Sequence, residues 1–126
     1  MKFPRARGRC TRRKPGEMNK TEAAYRREVL EPAILAGTIA VVDYERITFK
    51  LADDTRYTPD FFVLLPDGLI EFHEVKGFFE DHAKVKFKVV ADQHPWFKFV
   101  LVRKRAKKDG GGWDVREVGE PGTLPA

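Results

Sequence analysis

The stretch YTPDFFVLLPDGLIEFHEVK, residues 57–76, contains two apolar runs separated by a turn. The runs cover residues 57–65 and 69–76, and both are rich in the aromatic and β-branched side chains that favour strands. Between them, PDG at residues 66–68 has a strong turn preference and is too short for anything but a hairpin loop. The sequence therefore predicts a β-hairpin with five buried side chains, namely Phe61, Val63, Leu65, Ile70 and Phe72.

This hairpin brings acidic and basic side chains together. Side chains alternate between the two faces of a strand, so Glu74 and Lys76 share one face while Val75 points to the other. The pairing of the two strands brings Asp60 near Glu74. Two carboxylates beside one ammonium group suit a divalent-metal site that hydrolyses phosphodiesters.

Mg²⁺ is the metal that these residue types indicate, with Mn²⁺ as an alternative, because Mg²⁺ commonly takes one or two carboxylates together with water and substrate phosphate. Asp60 and Glu74 are suitable ligands, and the backbone carbonyl of Val75 is a third candidate. We expect Lys76 to orient or deprotonate the attacking water, or to stabilise the anionic transition state. The competing interpretation is that Pro-Asp is a turn dipeptide and Glu-x-Lys an ordinary surface ion pair.

The segment before the hairpin predicts a helix. Asn19 or Thr21 is its N-cap, and apolar residues at helical spacing continue to about Leu35. Pro32 is expected to end or kink this helix, and Gly37 marks a stop or turn. Two β-rich segments follow and predict a first strand or a strand pair, at residues 39–42 and 47–51.

The segment after the hairpin predicts a second helix over residues 80–93 and a strand over residues 96–102. Residues 113–118 are consistent with a closing strand. The order of elements is helix, strands, helix, strand. The sequence therefore predicts an α/β fold with a mixed central sheet flanked by helices.

The overall composition indicates one ordinary globular domain, since the chain has 126 residues, 42% of them hydrophobic and 34% charged. No apolar run approaches the roughly 18 residues of a membrane span, and no secretory signal is recognisable. The single cysteine, Cys10, excludes an internal disulfide. We therefore expect a protein that makes no membrane contact and works in a reducing cytoplasm.

Positive charge is concentrated at the N-terminus. Residues 1–14 hold seven basic and no acidic residues, which leaves 17 Lys and Arg against 19 Asp and Glu elsewhere. The sequence predicts a basic flexible arm at residues 1–17, a domain at 18–118 and a loose tail at 119–126. For the arm, the alternative to DNA contact is a solubilising tail. For Lys84 and Lys88 on the second predicted helix, the alternative is a solvated helix face. The candidate DNA-binding residues are Arg5, Arg7, Arg9, Arg12, Arg13, Lys14, Lys84, Lys88, Arg103 and Arg105.

The pattern Pro59-Asp60, thirteen residues, then Glu74-x-Lys76 resembles the PD-(D/E)xK nuclease superfamily. The resemblance covers about residues 18–103 and implies a restriction-endonuclease-like αβββαβ core. It implies that Asp60 and Glu74 bind the metal and that Lys76 assists the water. Several branches of the superfamily also place a glutamate on the first helix, which gives Glu22 a metal-binding and catalytic role.

The order Glu, Asp, Glu-x-Lys is similar to endonuclease I-type junction resolvases of phages. The resemblance implies a Mg²⁺-dependent DNA endonuclease of phage or prophage origin, active on branched DNA such as Holliday junctions in a bacterial host cell. The alternatives are a sequence-specific or nicking restriction or transposition endonuclease, and an inactive DNA-binding module. A homodimer through strands near residues 39–51 or 113–118 is a further expectation.

His73 and Glu71 point to the opposite face of the strand from Glu74. We expect them to form a partly exposed pair beneath a helix, without a catalytic role.

Overall fold

A computed structural model of the chain describes residues 16–76 and 81–118, with the backbone alone for residues 81–84. Its helices are α1 (Lys20–Tyr25), α2 (Glu31–Ala36) and α3 (Asp81–Gln93). Its strands are β1 (Val41–Tyr44), β2 (Phe49–Ala52), β3 (Thr55–Tyr57), β4 (Phe61–Leu64), β5 (Ile70–Lys76), β6 (Lys98–Lys104) and β7 (Trp113–Val118). None of these helices has the length and apolar character needed to cross a bilayer.

The first helix is longer than its α-helical parts, because a π-helical segment at Arg26–Leu30 joins α1 directly to α2. Asn19 is the N-cap, which confirms one of the two candidates that the sequence offered. Pro32 cannot donate a backbone hydrogen bond, and the wider π turn just before it accommodates the missing bond. The helix therefore continues through Pro32 and ends at Gly37, whose φ of 83° is left-handed.

The main sheet has five strands in the order β1-β4-β5-β6-β7. Neighbouring strands are antiparallel except for β5 and β6, which are parallel. A parallel pair needs a crossover connection, and α3 lies between these two strands in the chain. This arrangement confirms the predicted α/β class and mixed central sheet, and it makes β1 and β7 the two edges.

The predicted hairpin is present as β4 and β5. Phe61 pairs with His73, and the turn is closed by a hydrogen bond of 2.9 Å from the Gly68 amide to the Leu65 carbonyl. Of the five side chains predicted to face inward, Phe61, Val63 and Phe72 are buried and Leu65 and Ile70 are partly buried.

Three details differ from the sequence prediction. Residues 57–65 do not form one strand: β3 ends at Tyr57 and β4 begins at Phe61, because Pro59 between them has no amide hydrogen for a ladder. The segments at 39–42 and 47–51 do not pair with each other. Instead β1 joins the main sheet, while β2 pairs with β3 in a separate two-stranded sheet. The strand predicted at residues 96–102 is Lys98–Lys104, whereas β7 has the predicted bounds.

Apolar side chains are buried on both faces of the main sheet. One face packs against α1 and the π segment, and its buried residues include Tyr25, Leu30, Val42, Phe61, Val63, Val75, Val100 and Val102. The other face packs against α3 and the small sheet, and its buried residues are Phe49, Tyr57, Phe72, Phe87, Val90, Ala91, Phe99 and Leu101. Alternation along β5 therefore separates Val75 from its neighbours Glu74 and Lys76, as the sequence predicted.

Candidate active site

Glu22 enters the site from α1. Its side chain is part of a capping box, in which the Asn19 amide donates to Glu22 Oε1 at 2.8 Å and Asn19 Oδ1 accepts from the Glu22 amide at 2.7 Å. The Tyr44 hydroxyl of β1 donates to the same Oε1 at 2.8 Å. Glu22 is only 5% exposed. These contacts hold a buried carboxylate in one orientation at the start of the helix.

Asp60 lies directly before β4 and is also buried. Its Oδ2 accepts a hydrogen bond of 2.8 Å from the Val75 amide. Burial, the charge of Glu74 and the charge of Glu22 raise the pKa of Asp60 to about 9, although the Val75 amide acts in the opposite direction. The nearby carboxylates of Glu74 and Glu22 therefore favour the protonated form of Asp60.

Glu74 is the most buried of the three acidic residues of the site, at 3% exposure. The Tyr57 hydroxyl donates to its Oε1, and Lys76 Nζ lies 2.9 Å from its Oε2. Burial raises the pKa of Glu74, while Lys76, Tyr57 and the Asp60 amide lower it, with burial the stronger effect.

The site occupies a notch in the sheet. Strand β4 begins at Phe61, opposite His73, so residues 74–76 of β5 extend beyond it. Asp60 is placed beside this extension and accepts from Val75. Glu22 approaches from the α1 face of the sheet, whereas Glu74 and Lys76 project from the α3 face. The notch therefore lets side chains from both faces of the sheet converge beside the last residues of β5.

The donor set fits a hard divalent cation. Within residues 16–76 and 81–118, no three His, Cys, Asp or Glu side chains are already arranged to hold a metal ion. Mg²⁺ does not require such a cage, since one or two carboxylates with water and phosphate suffice. Glu22, Asp60 and Glu74 are all buried, Glu22 and Glu74 lie close enough to raise the pKa of Asp60, and Lys76 contacts Glu74, so a cation would offset their negative charge. Val75 directs its carbonyl to the same side of β5 as the amide that contacts Asp60.

The predicted DNA-binding residues are only partly described. The candidates in the arm, Arg5 to Lys14, lie outside the described residues, as does the side chain of Lys84. Lys88 is exposed on α3. Arg103 is in register with Lys76 and shares its face of the sheet. Arg105 forms an ion pair of 3.2 Å with Asp114 near the β7 edge.

Two tyrosines of the site were missed by the sequence analysis. Tyr44 and Tyr57 each direct a hydroxyl at a buried carboxylate, and burial together with that carboxylate raises the pKa of both. The only signal in the sequence is the position of Tyr57, three residues before Asp60. His73 is 6% exposed, so its predicted partial exposure was wrong.

The chain matches no family model, no curated protein and no solved structure.

Proposed function

We propose that this protein is a Mg²⁺-dependent DNA endonuclease that hydrolyses phosphodiester bonds, with Mn²⁺ as an alternative metal. The observation that carries the proposal is that polar contacts fix two acidic groups at the notch. The Asp60 carboxylate accepts from the Val75 amide, and the Glu74 carboxylate accepts from the Tyr57 hydroxyl and contacts Lys76. This fixes two carboxylates beside one lysine, which is the donor set expected of such an enzyme.

The residues of the notch have separate roles in this proposal. Asp60, Glu74 and the Val75 carbonyl would hold the metal, with Glu22 contributing from α1. When bound there, the metal would supply Lewis-acid polarisation of the phosphate and would acidify the attacking water. Lys76, held by Glu74 at 2.9 Å, orients that water or stabilises the charge of the transition state. Tyr57 fixes the second oxygen of Glu74.

The order of elements supports the same proposal. Helix α1, strands β1, β4 and β5, helix α3 and strand β6 follow the αβββαβ order that the sequence resemblance implies, with the β2–β3 hairpin inserted after β1. The seven basic residues at positions 1–14 suit contacts with a phosphate backbone. The resemblance to junction resolvases favours branched DNA as the substrate class.

The direct test is cleavage of a panel of linear, nicked, flap and four-way DNA in the presence of Mg²⁺. Asp60→Ala, Glu74→Ala and Lys76→Ala should each abolish cleavage while DNA binding persists. Asp92→Ala, on the exposed side of α3, is the matched control and should cleave normally. Undiminished cleavage in excess chelator would refute the metal mechanism, and retained activity in all three variants would refute the site.

A further inference from the structure

A second set of polar side chains lies on the α1 face of the sheet, behind Glu74. The Tyr25 hydroxyl is 2.8 Å from His73 Nδ1, and His73 Nε2 is 2.9 Å from Glu71 Oε1. Tyr25 is 1% exposed and His73 is 6% exposed. Burying these polar groups is costly unless they are paired, so their pairing restricts how the surrounding elements can be arranged.

The direction of the hydrogen bonds follows from the chemistry of the groups. Glu71 is kept ionised because the hydrogen bond from His73 lowers its pKa, and an ionised carboxylate can only accept. Nε2 of His73 therefore carries the proton. In the neutral ring, Nδ1 is then left to accept from the Tyr25 hydroxyl, which burial keeps protonated by raising the pKa of Tyr25.

The outer end of this chain of contacts is weaker. Lys98 Nζ lies 3.7 Å from Glu71 and 3.6 Å from Glu117, and the side chains of Lys98 and Glu117 are 46% and 42% exposed. Exposed ion pairs of this kind contribute little to stability. The buried link between Tyr25 and His73 is therefore the part that constrains the structure.

This link joins the two elements that carry the site. Tyr25 follows Glu22 by three residues, so both project from the same side of α1. His73 directly precedes Glu74 on β5. Apolar packing between α1 and the sheet tolerates small sliding movements, whereas a buried hydrogen bond is directional. The separation between Glu22 and the carboxylates of the notch is thus set by a polar contact one helical turn away.

We propose that Tyr25 and His73 are positioning residues, which hold Glu22 in register with Asp60 and so set the metal affinity of the notch. The inference rests on the proposed function, because it assigns a metal to these carboxylates. Neither residue needs to touch the metal or the DNA. Their effect acts through Glu22.

A double-mutant cycle measured by Mn²⁺ calorimetry tests this role. Tyr25→Phe should weaken Mn²⁺ binding by about 10-fold, a loss typical of outer contacts that orient metal ligands. In a Glu22→Gln background the same substitution should have almost no further effect. Full additivity of the two losses, or unchanged Mn²⁺ affinity in Tyr25→Phe, would overturn the proposal.

Further variants separate positioning from a general loss of stability. Val63→Ala removes apolar packing from the same cluster and should lower stability without changing Mn²⁺ affinity. His73→Gln keeps an acceptor for Tyr25 and should retain more affinity than His73→Leu. Equal losses in all three variants would mean a structural role only. If the wild-type protein itself binds no Mn²⁺, the proposed function fails, and the positioning role fails with it.

Discussion

The hydroxyl of Tyr57, at the end of the small β2–β3 sheet, donates a hydrogen bond to the carboxylate of Glu74 in the main sheet. The small sheet therefore contributes directly to the notch in addition to covering the α3 face. Its buried aromatic residues, Phe49 and Tyr57, pair directly across its two strands. The inserted hairpin is thus part of the candidate site.

Tyr57→Phe should raise the Mg²⁺ concentration needed for half-maximal cleavage. Tyr57 is one of the groups that lower the pKa of Glu74, so its removal leaves Glu74 protonated to a larger extent at neutral pH. The defect should shrink as the pH rises, because Glu74 then ionises without help. Cleavage measured against Mg²⁺ at pH 7 and pH 9 checks this. An identical Mg²⁺ requirement in both proteins would contradict it.

The metal-free protein should lose stability as the pH rises. The pKa of Asp60 is raised from 3.8 to about 9, so between these values the folded state holds a proton that the unfolded state has released. Stability therefore falls with increasing pH, by at most about 1.4 kcal/mol per pH unit for one group. Asp60→Asn mimics the protonated side chain and should flatten this dependence. Urea unfolding in chelator from pH 5 to 9 provides the measurement, and parallel curves for the two proteins would refute the prediction.

Glu22→Gln should lower turnover by about 100-fold with little change in stability. Glutamine can still complete the capping box with Asn19 and accept from Tyr44, so the helix start is preserved. What is lost is the charge near Asp60. Single-turnover cleavage and thermal unfolding, measured on the same sample, separate the two effects. A normal cleavage rate would reduce Glu22 to a helix-capping residue.

The hairpin and the alternation of its side chains were predictable because both depend on local sequence. The turn at residues 66–68 fixes the register, and a two-residue period then assigns Glu74 and Lys76 to one face. The contacts of Tyr44 and Tyr57 were not predictable, since each joins elements that meet only after folding. The same holds for His73, whose burial depends on Tyr25, 48 residues earlier in the chain.

Removal of residues 1–14 should weaken DNA binding and flatten its salt dependence. Each lost phosphate contact lowers the slope of log K against log salt by about 0.9 for duplex DNA. The seven basic residues of this segment set the upper limit of the change. Binding titrations between 50 and 200 mM salt, roughly the range in which such contacts matter most, measure it. An unchanged slope would identify the segment as a tail without DNA contacts.

The active species should be a dimer, because cutting two symmetric strands needs two sites and the described part of each chain offers one notch. The edges of the sheet are β1 and β7, and each carries an exposed valine: Val41 is 44% exposed and Val115 is 59% exposed. A lysine on the edge strand that forms the dimer should oppose strand pairing and give monomers. Val41→Lys on β1 and Val115→Lys on β7 are therefore tested in parallel. Sedimentation with and without a four-way junction reports the state. A wild-type monomer that makes paired cuts without a nicked intermediate would exclude the dimer.

The π-helical segment at Arg26–Leu30 has a consequence for how this chain tolerates insertions and deletions. A π turn contains one residue more than an α turn, so it takes up an extra residue while the helix on either side keeps its facing. Loss of one residue here should tighten the π turn to an α turn and leave Glu22 and Tyr25 facing the sheet. Loss of one residue from an α-helical turn between Tyr25 and the sheet contacts of α2 would instead rotate both side chains by about 100°. In this helix, the π turn is therefore the place where a deletion should be tolerated best.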